Sequence, residues 1–172
     1  DGLASPTIAV DISSAALDLG SSTVGLSLWD TAGQEKFAPL SAPYFRKADG
    51  VVVAFDVSRR GSFDRVATYW QNEIFFKADP NVTVMLIGTK ADVPADERQV
   101  SEGEAQEFAE TQGWLYFETS AKSGLHVRDA FYLLACTVMN RLIEEDPKNL
   151  INDGGEGARG AAGNQAAGKK KA

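Results

Sequence analysis

The sequence predicts an α/β domain built on a mostly parallel sheet, and three observations carry that prediction. Continuous apolar runs recur in the middle of the chain, at Val51-Val52-Val53-Ala54-Phe55 and Val82-Thr83-Val84-Met85-Leu86-Ile87. Such runs read as strands buried on both faces, as in a parallel sheet. Amphipathic stretches of helical period separate them, which implies crossovers and helices on both faces of the sheet. Near the start, two strand-like segments are joined by a few turn residues, so an antiparallel hairpin adds one edge strand.

Each element has its own signature. Ile8 to Leu19 and Thr23 to Trp29 form the hairpin, linked through Leu19-Gly20-Ser21-Ser22. After the first apolar run, Ser62 to Ala78 carries Phe63, Val66, Trp70 and Ile74 at helical spacing, with Ser62 as the expected N-cap. After the second run, Ser101-Glu102-Gly103-Glu104 is a capping box that opens a helix to about Thr111. Trp114-Leu115-Tyr116-Phe117 is a weaker third strand. The last helix runs from about His126 to Glu144, with Val127, Ala130, Phe131, Leu134, Val138 and Leu142 as its apolar stripe. From about Asp153 the chain turns Gly- and Ala-rich and ends in Lys169-Lys170-Lys171. That composition reads as a flexible tail, so the domain is expected over residues 1–152 and the tail over 153–172.

Length and composition set limits. A chain of 172 residues fits one domain. A net charge of −7 argues against nucleic acid as a main partner. The single cysteine, Cys136, permits no internal disulfide and fits a reducing compartment. No apolar run approaches the roughly 20 residues of a membrane span, and the first residues lack the pattern of a secretory signal. The chain starts at Asp1 rather than Met, as a fragment would.

Three short motifs follow predicted strands. They are Trp29-Asp30-Thr31-Ala32-Gly33-Gln34-Glu35, then Thr89-Lys90-Ala91-Asp92 after Gly88, then Glu118-Thr119-Ser120-Ala121-Lys122. Ligands of open α/β sheets bind beyond the carboxyl ends of the strands, where all three would meet. Each motif has chemistry to match. Asp30 can hold Mg²⁺ through its water shell. Gly33 lets a backbone N–H approach a terminal phosphate without a Cβ in the way. Gln34 can orient an attacking water. Asp92 can accept two hydrogen bonds from the N1–H and N2 edge of guanine, a donor pair that adenine lacks. The stem of Lys90 can cover the purine face, Ala121 N–H can donate to guanine O6, and Lys122 can pack over the other side.

With these motifs the sequence resembles the Ras superfamily of small GTPases, and within it the Rab group. The likeness covers Ser5 to about Leu142. D-T-A-G-Q-E, T-K-x-D and E-T-S-A-K carry it, together with Tyr44-Phe45-Arg46 and Phe55-Asp56-Val57-Ser58. Ser5-Pro6-Thr7-Ile8-Ala9-Val10-Asp11 is similar to the end of the family's first switch, and Gln34 to Arg46 to the second.

The resemblance implies a P-loop NTPase-type three-layer domain that binds GTP or GDP with Mg²⁺. It implies Gln34 as the catalytic residue and Thr7 and Asp30 as metal ligands. Gly33, Thr89, Lys90, Asp92, Ser120, Ala121 and Lys122 would hold the nucleotide. It further implies a monomer, cytoplasmic or on the cytosolic face of endomembranes, that acts in vesicle traffic. Exchange factors, GTPase-activating proteins and effectors are its expected partners. Effectors would meet an aromatic triad whose positions here are Ile12, Trp29 and Tyr44, although Trp29 and Tyr44 also read as core residues.

Several departures qualify this. No G-x-x-x-x-G-K-S/T occurs in the chain. The family's first strand, phosphate loop and first helix are thus expected to be missing, leaving a gap flanked by strand edges and no hydrolysis by these residues alone. Thr89 stands for the commoner asparagine, and Ile12 for the usual triad phenylalanine. No cysteine lies near the C-terminus, so membrane association would need a lipidated segment beyond it. The alternative is a Rab-like scaffold that binds proteins without hydrolysing nucleotide. His126 and Cys136 read as structural residues.

Overall fold

The computed structural model describes residues 10–20, 23–31 and 44–147. Thr7, Gly33 and Gln34 lie outside them, as do residues 148–172.

The hairpin forms as expected. Strand β1 (Val10–Asp18) pairs antiparallel with β2 (Thr23–Thr31), with Asp18 opposite Thr23 and Ile12 opposite Trp29. At the turn, Gly20 has a φ of 86°, a left-handed conformation that glycine adopts without a Cβ penalty. Its N–H donates to Asp18 Oδ1 at 2.8 Å.

The apolar runs become a parallel sheet in the order β3-β4-β5. These are β3 (Gly50–Asp56), β4 (Thr83–Thr89) and β5 (Leu115–Glu118). The central strand β4 is buried on both faces. Val84 and Leu86 join one core cluster, and Met85 and Ile87 the other. β3 differs from the expected two-sided burial. Only Val51, Val53 and Phe55 are buried, while Val52 and Ala54 are exposed. The reason is position: β3 is an edge strand, and its outer neighbour is absent among the described residues. The two sheets are not hydrogen-bonded to each other, so the expected gap lies between β2 and β3.

The stretch from 60 to 77 is helical in three parts: α1 (Arg60–Arg65), a π-helical turn (Val66–Trp70) and α2 (Gln71–Lys77). Phe63, Val66 and Ile74 point into the core, as the spacing predicts. Ser62 is not the N-cap. The cap is three residues earlier, at Arg59, and Ser62 sits inside the helix. Its hydroxyl accepts from Asp56 N at 3.0 Å and donates to Arg59 O at 2.7 Å. Serine hydroxyls bond nearby backbone within a helix as readily as at its start, so residue type alone does not place the cap. Helix α3 (Glu102–Gln112) does begin on the predicted cap, with Glu104 N donating to Ser101 Oγ at 3.2 Å. It ends on Gly113, whose φ of 70° is a left-handed C-cap.

Helix α4 (Val127–Glu145) follows His126 and covers the other face of the sheet. His126 has a φ of 50°, and its ring packs edge-on to Phe117. Three layers result, as the alternation of strands and helices predicts.

Gly88 in β4 leaves a side chain little room. A Cβ there would stand 3.0 Å from Val57 Cγ1, 3.2 Å from Phe55 Cζ and 3.3 Å from Glu118 Cγ. Gly88→Ala is therefore expected to cost about 1–3 kcal/mol by overpacking, measured by urea denaturation. An unchanged midpoint would contradict this packing.

Candidate nucleotide site

The parallel register brings the strand ends level. Asp56 is opposite Thr89, and Gly88 is opposite Glu118. The loops that follow β4 and β5 therefore begin side by side at the carboxyl edge of the sheet. Ala91 N donates to Thr119 O at 3.0 Å, and Thr119 N to Gly88 O at 2.8 Å, tying the loops together.

Thr89 ends β4, and its hydroxyl donates to Phe55 O at 2.8 Å. Lys90 follows with a φ of 61°, a left-handed conformation that is strained for a residue with a Cβ. Its amine meets Asp56 Oδ2 at 2.6 Å. The carboxylate is mostly buried while the lysine is mostly exposed, so the long stem lies at the surface and its charged end is tethered. Burial works to raise the Asp56 carboxyl's pKa. The hydrogen bonds from Lys90 and Ser58 outweigh it and hold the group below its ordinary value.

Asp92 is positioned from the other loop. Ser120 is fully buried, and its hydroxyl donates to Asp92 Oδ1 in a short hydrogen bond. Ser120 itself is fixed on three sides. Its N–H donates to Leu125 O at 3.0 Å, its C=O accepts from Gly124 N at 2.8 Å, and its Oγ accepts from Ser123 N at 3.1 Å. Lys122 reaches Asp92 Oδ2 at 3.7 Å from a well-exposed position. The Ser120 hydrogen bond is the main cause that lowers the Asp92 pKa, and Lys122 adds to it. The result is an ionised acceptor at the surface with one oxygen held. Thr89, Lys90, Asp92, Ser120, Ala121 and Lys122 are thus gathered on two adjoining loops.

Two supports were not legible from the motifs. Asp56 anchors Lys90, and Arg98 clamps Glu118 through two hydrogen bonds of 2.7 and 2.6 Å. Tyr116 adds a third to the same carboxylate at 2.8 Å. Burial raises the Glu118 carboxyl's pKa, but Arg98 and Tyr116 together bring it below its ordinary value. For Asp56 the sequence signals are a carboxylate at a strand end and its place in Phe55-Asp56-Val57-Ser58, neither of which points to Lys90. Arg98 stands in a loop with no local spacing to mark it.

Asp30 is the penultimate residue of β2, in the other sheet. No group of three His, Cys, Asp or Glu gathers among the described residues. A carboxylate at a strand end is the kind of group that can serve Mg²⁺, which keeps most of its waters and takes one or two protein ligands.

The three effector-triad positions come together. Ile12 faces Trp29 across the hairpin, and the Trp29 and Tyr44 rings stack at 4.9 Å between centroids. Ile12 is 55% and Trp29 46% exposed, so neither is a core residue.

The chain matches the model of the Ras family over residues 3–140. The chain belongs to the Ras family. Its Rab-like character is carried by relatives of that description. It is 40% identical over 148 residues to Ras-related protein Rab-2B of Dictyostelium discoideum, covering 86% of this chain and 72% of that protein. It is 38% identical over 149 residues to Ras-related protein RABA3 of Arabidopsis thaliana, covering 87% and 62%. It is 37% identical over 136 residues to GTP-binding protein yptV2 of Volvox carteri, covering 79% and 62%. The chain thus spans between 62% and 72% of the length of these Ras-family relatives.

The Arg98–Glu118 clamp sets an acid-sensitive contribution to stability. A carboxylate whose folded pKa is depressed stabilises fully above its unfolded pKa and loses that contribution as pH falls through the folded value. Arg98→Ala should therefore cost about 2–3 kcal/mol at pH 7, where it leaves a half-buried charge unpaired, and clearly less near pH 3. Denaturation midpoints at the two pH values check this. An equal loss at both would refute the clamp.

Proposed function

We propose that this Ras-family chain is the guanine-reading and switch-bearing part of a GTPase that acts in vesicle traffic. The observation that carries the reading is the ionised Asp92 carboxylate, held by the buried Ser120 hydroxyl beside the surface stem of Lys90. Asp92 accepts the N1–H and N2 amino groups of guanine. Adenine offers no such donor pair and would leave the carboxylate's remaining acceptor sites covered but unpaired. Lys90 covers one face of the base and Lys122 the other, and Ala121 N–H donates to O6.

At the phosphate end, Thr7 and Asp30 would hold Mg²⁺, which neutralises charge on the terminal phosphates when bound. Gly33 brings its N–H to the γ-phosphate, and Gln34 orients the attacking water. The segments around residues 1–11 and 33–46 order when the γ-phosphate is present and relax once it is lost. Ile12, Trp29 and Tyr44 read out that state, because Ile12 and Trp29 are exposed on the hairpin that follows the first switch and Tyr44, packed against Trp29, belongs to the second. Exchange factors, activating proteins and effectors are the partners that follow. Among the described residues no helix is long and apolar enough to cross a membrane.

Competition between guanine and xanthine diphosphates for a fluorescent guanine nucleotide, at up to millimolar ligand, tests the base site. Asp92→Asn should shift the preference toward xanthine by at least about tenfold, because the amide can donate to the xanthine 2-oxo group. An unchanged preference would overturn the assignment. In a protein that also carries the phosphate-binding loop, Gln34→Leu should slow GTP turnover at least about tenfold and leave nucleotide affinity nearly constant, read by phosphate release and by titration.

A further inference from the structure

Among the described residues, strand β5 pairs with β4 alone, and all four of its residues are half-buried. Its other edge is open. The ladder decides which backbone groups face that edge. Thr119 N donates to Gly88 O at 2.8 Å, so Leu115 and Phe117, at the same parity, turn their N–H and C=O toward β4. Tyr116 and Glu118 turn theirs outward. The ends of this outer row are occupied. Trp114 N donates to Ala109 O at 2.8 Å, and Glu118 O accepts from His126 Nδ1 at 3.3 Å. Between them, Tyr116 N–H, Tyr116 C=O and Glu118 N–H have no partner among the described residues.

This row lies along a groove of about 580 Å³, within the size range of ligand clefts. The two walls differ in character. On one side α3 presents Glu102, Gln106 and Glu110, four residues apart and so on one helix face. On the other stand Leu125 and His126, just before α4. Glu102 and Glu110 are exposed and have no ion-pair partner among the described residues, while Arg98 is engaged by Glu118. Gln106 Nε2 donates to Glu110 Oε1 at 2.8 Å and steadies that carboxylate. The unpaired backbone row suits an added strand, and the acidic wall suits cations on one face of it.

We propose that this groove takes an extended, basic segment of a partner protein as an added strand on β5. The spacing of the wall defines the segment's pattern. Glu102 and Glu110 are eight residues apart, about 12 Å along α3. Side chains at i and i+4 of a strand share one face and lie about 13 Å apart. A lysine or arginine at each of those positions meets both carboxylates, and the residue midway faces Gln106. The alternate side chains turn to the opposite face, where Leu115 and Phe117 pack beneath α4, and are apolar. A second copy of the chain fits less well. Antiparallel pairing of two β5 edges, about an axis normal to the sheet, sets the two acidic rows against each other. The proposal does not depend on the nucleotide reading.

A labelled peptide, Thr-Lys-Val-Thr-Val-Lys-Thr, titrated into the full chain at low salt and followed by fluorescence anisotropy, tests it. The peptide should bind with a Kd below about 1 mM. Thr-Glu-Val-Thr-Val-Glu-Thr should bind at least about tenfold more weakly. With the lysine peptide bound, hydrogen exchange read by NMR should slow at the Tyr116 and Glu118 amides. N-methylation of one set of alternate peptide amides should abolish binding, and of the other set leave it intact, because only one set faces the edge. Glu102→Gln with Glu110→Gln should weaken the lysine peptide at least about threefold, with a thermal melt near the parent's because both side chains are exposed. Glu102→Lys with Glu110→Lys should reverse the preference between the two peptides. The proposal is overturned if the lysine peptide does not bind, or if the glutamate peptide or the double glutamine variant binds equally well. It also fails if both sets of N-methylation are tolerated, or if the Tyr116 and Glu118 amides are already protected in the free chain. Such protection, if it grew with concentration, would give the edge to a second copy, and otherwise to the chain's own tail.

Discussion

Burial of β4 on both faces is the constraint on which the rest depends. Met85 and Leu86 are fully covered from opposite sides, so the strand can neither slip nor rotate without exposing one set. That fixes the register of β3 and β5 against it. The register in turn sets Asp56 opposite Thr89, and Glu118 opposite the preceding Gly88. Without it, the loop carrying Lys90 and Asp92 and the loop carrying Ser120 would not share hydrogen bonds.

From that edge the site is assembled by polar contacts that each have a buried member. Ser120 is fully enclosed, Asp56 is mostly so, and Glu118 lies under Arg98 and Tyr116. Desolvation acts against the ionised carboxylates of Asp56, Asp92 and Glu118, and hydrogen bonds win in each case. Hydrogen bonds in such surroundings are stronger than in water, and unmade ones cost more. The loops are therefore held by interactions that fail together rather than singly.

Much of this was legible in the sequence, for physical reasons. The run at 82–87 is apolar throughout because both its faces are buried. Ser101 and Glu104 mark a helix start because that cap is a local contact. The motif residues from Thr89 to Lys122 were identifiable because they fall in two short contiguous segments, each directly after a strand. What escaped notice was non-local. Val52 and Ala54 look like core residues until the edge position of β3 is known. Arg98 reaches Glu118 across 20 residues, and no periodicity records that pairing. Ser62 was misplaced because its hydroxyl, from inside the helix, bridges the strand end at Asp56 and the backbone of Arg59 instead of capping free helix N–H groups.

The tether between Lys90 and Asp56 has a consequence for recognition. A free lysine must give up rotamer freedom when a ligand settles against its stem, a loss of up to about 2 kcal/mol. Here the amine is already moored to a neighbouring strand and the backbone is set in an unusual conformation. That entropy is surrendered during folding, before any base arrives. The surface offered to a planar ligand is in this respect closer to a fixed shelf than to a moving arm.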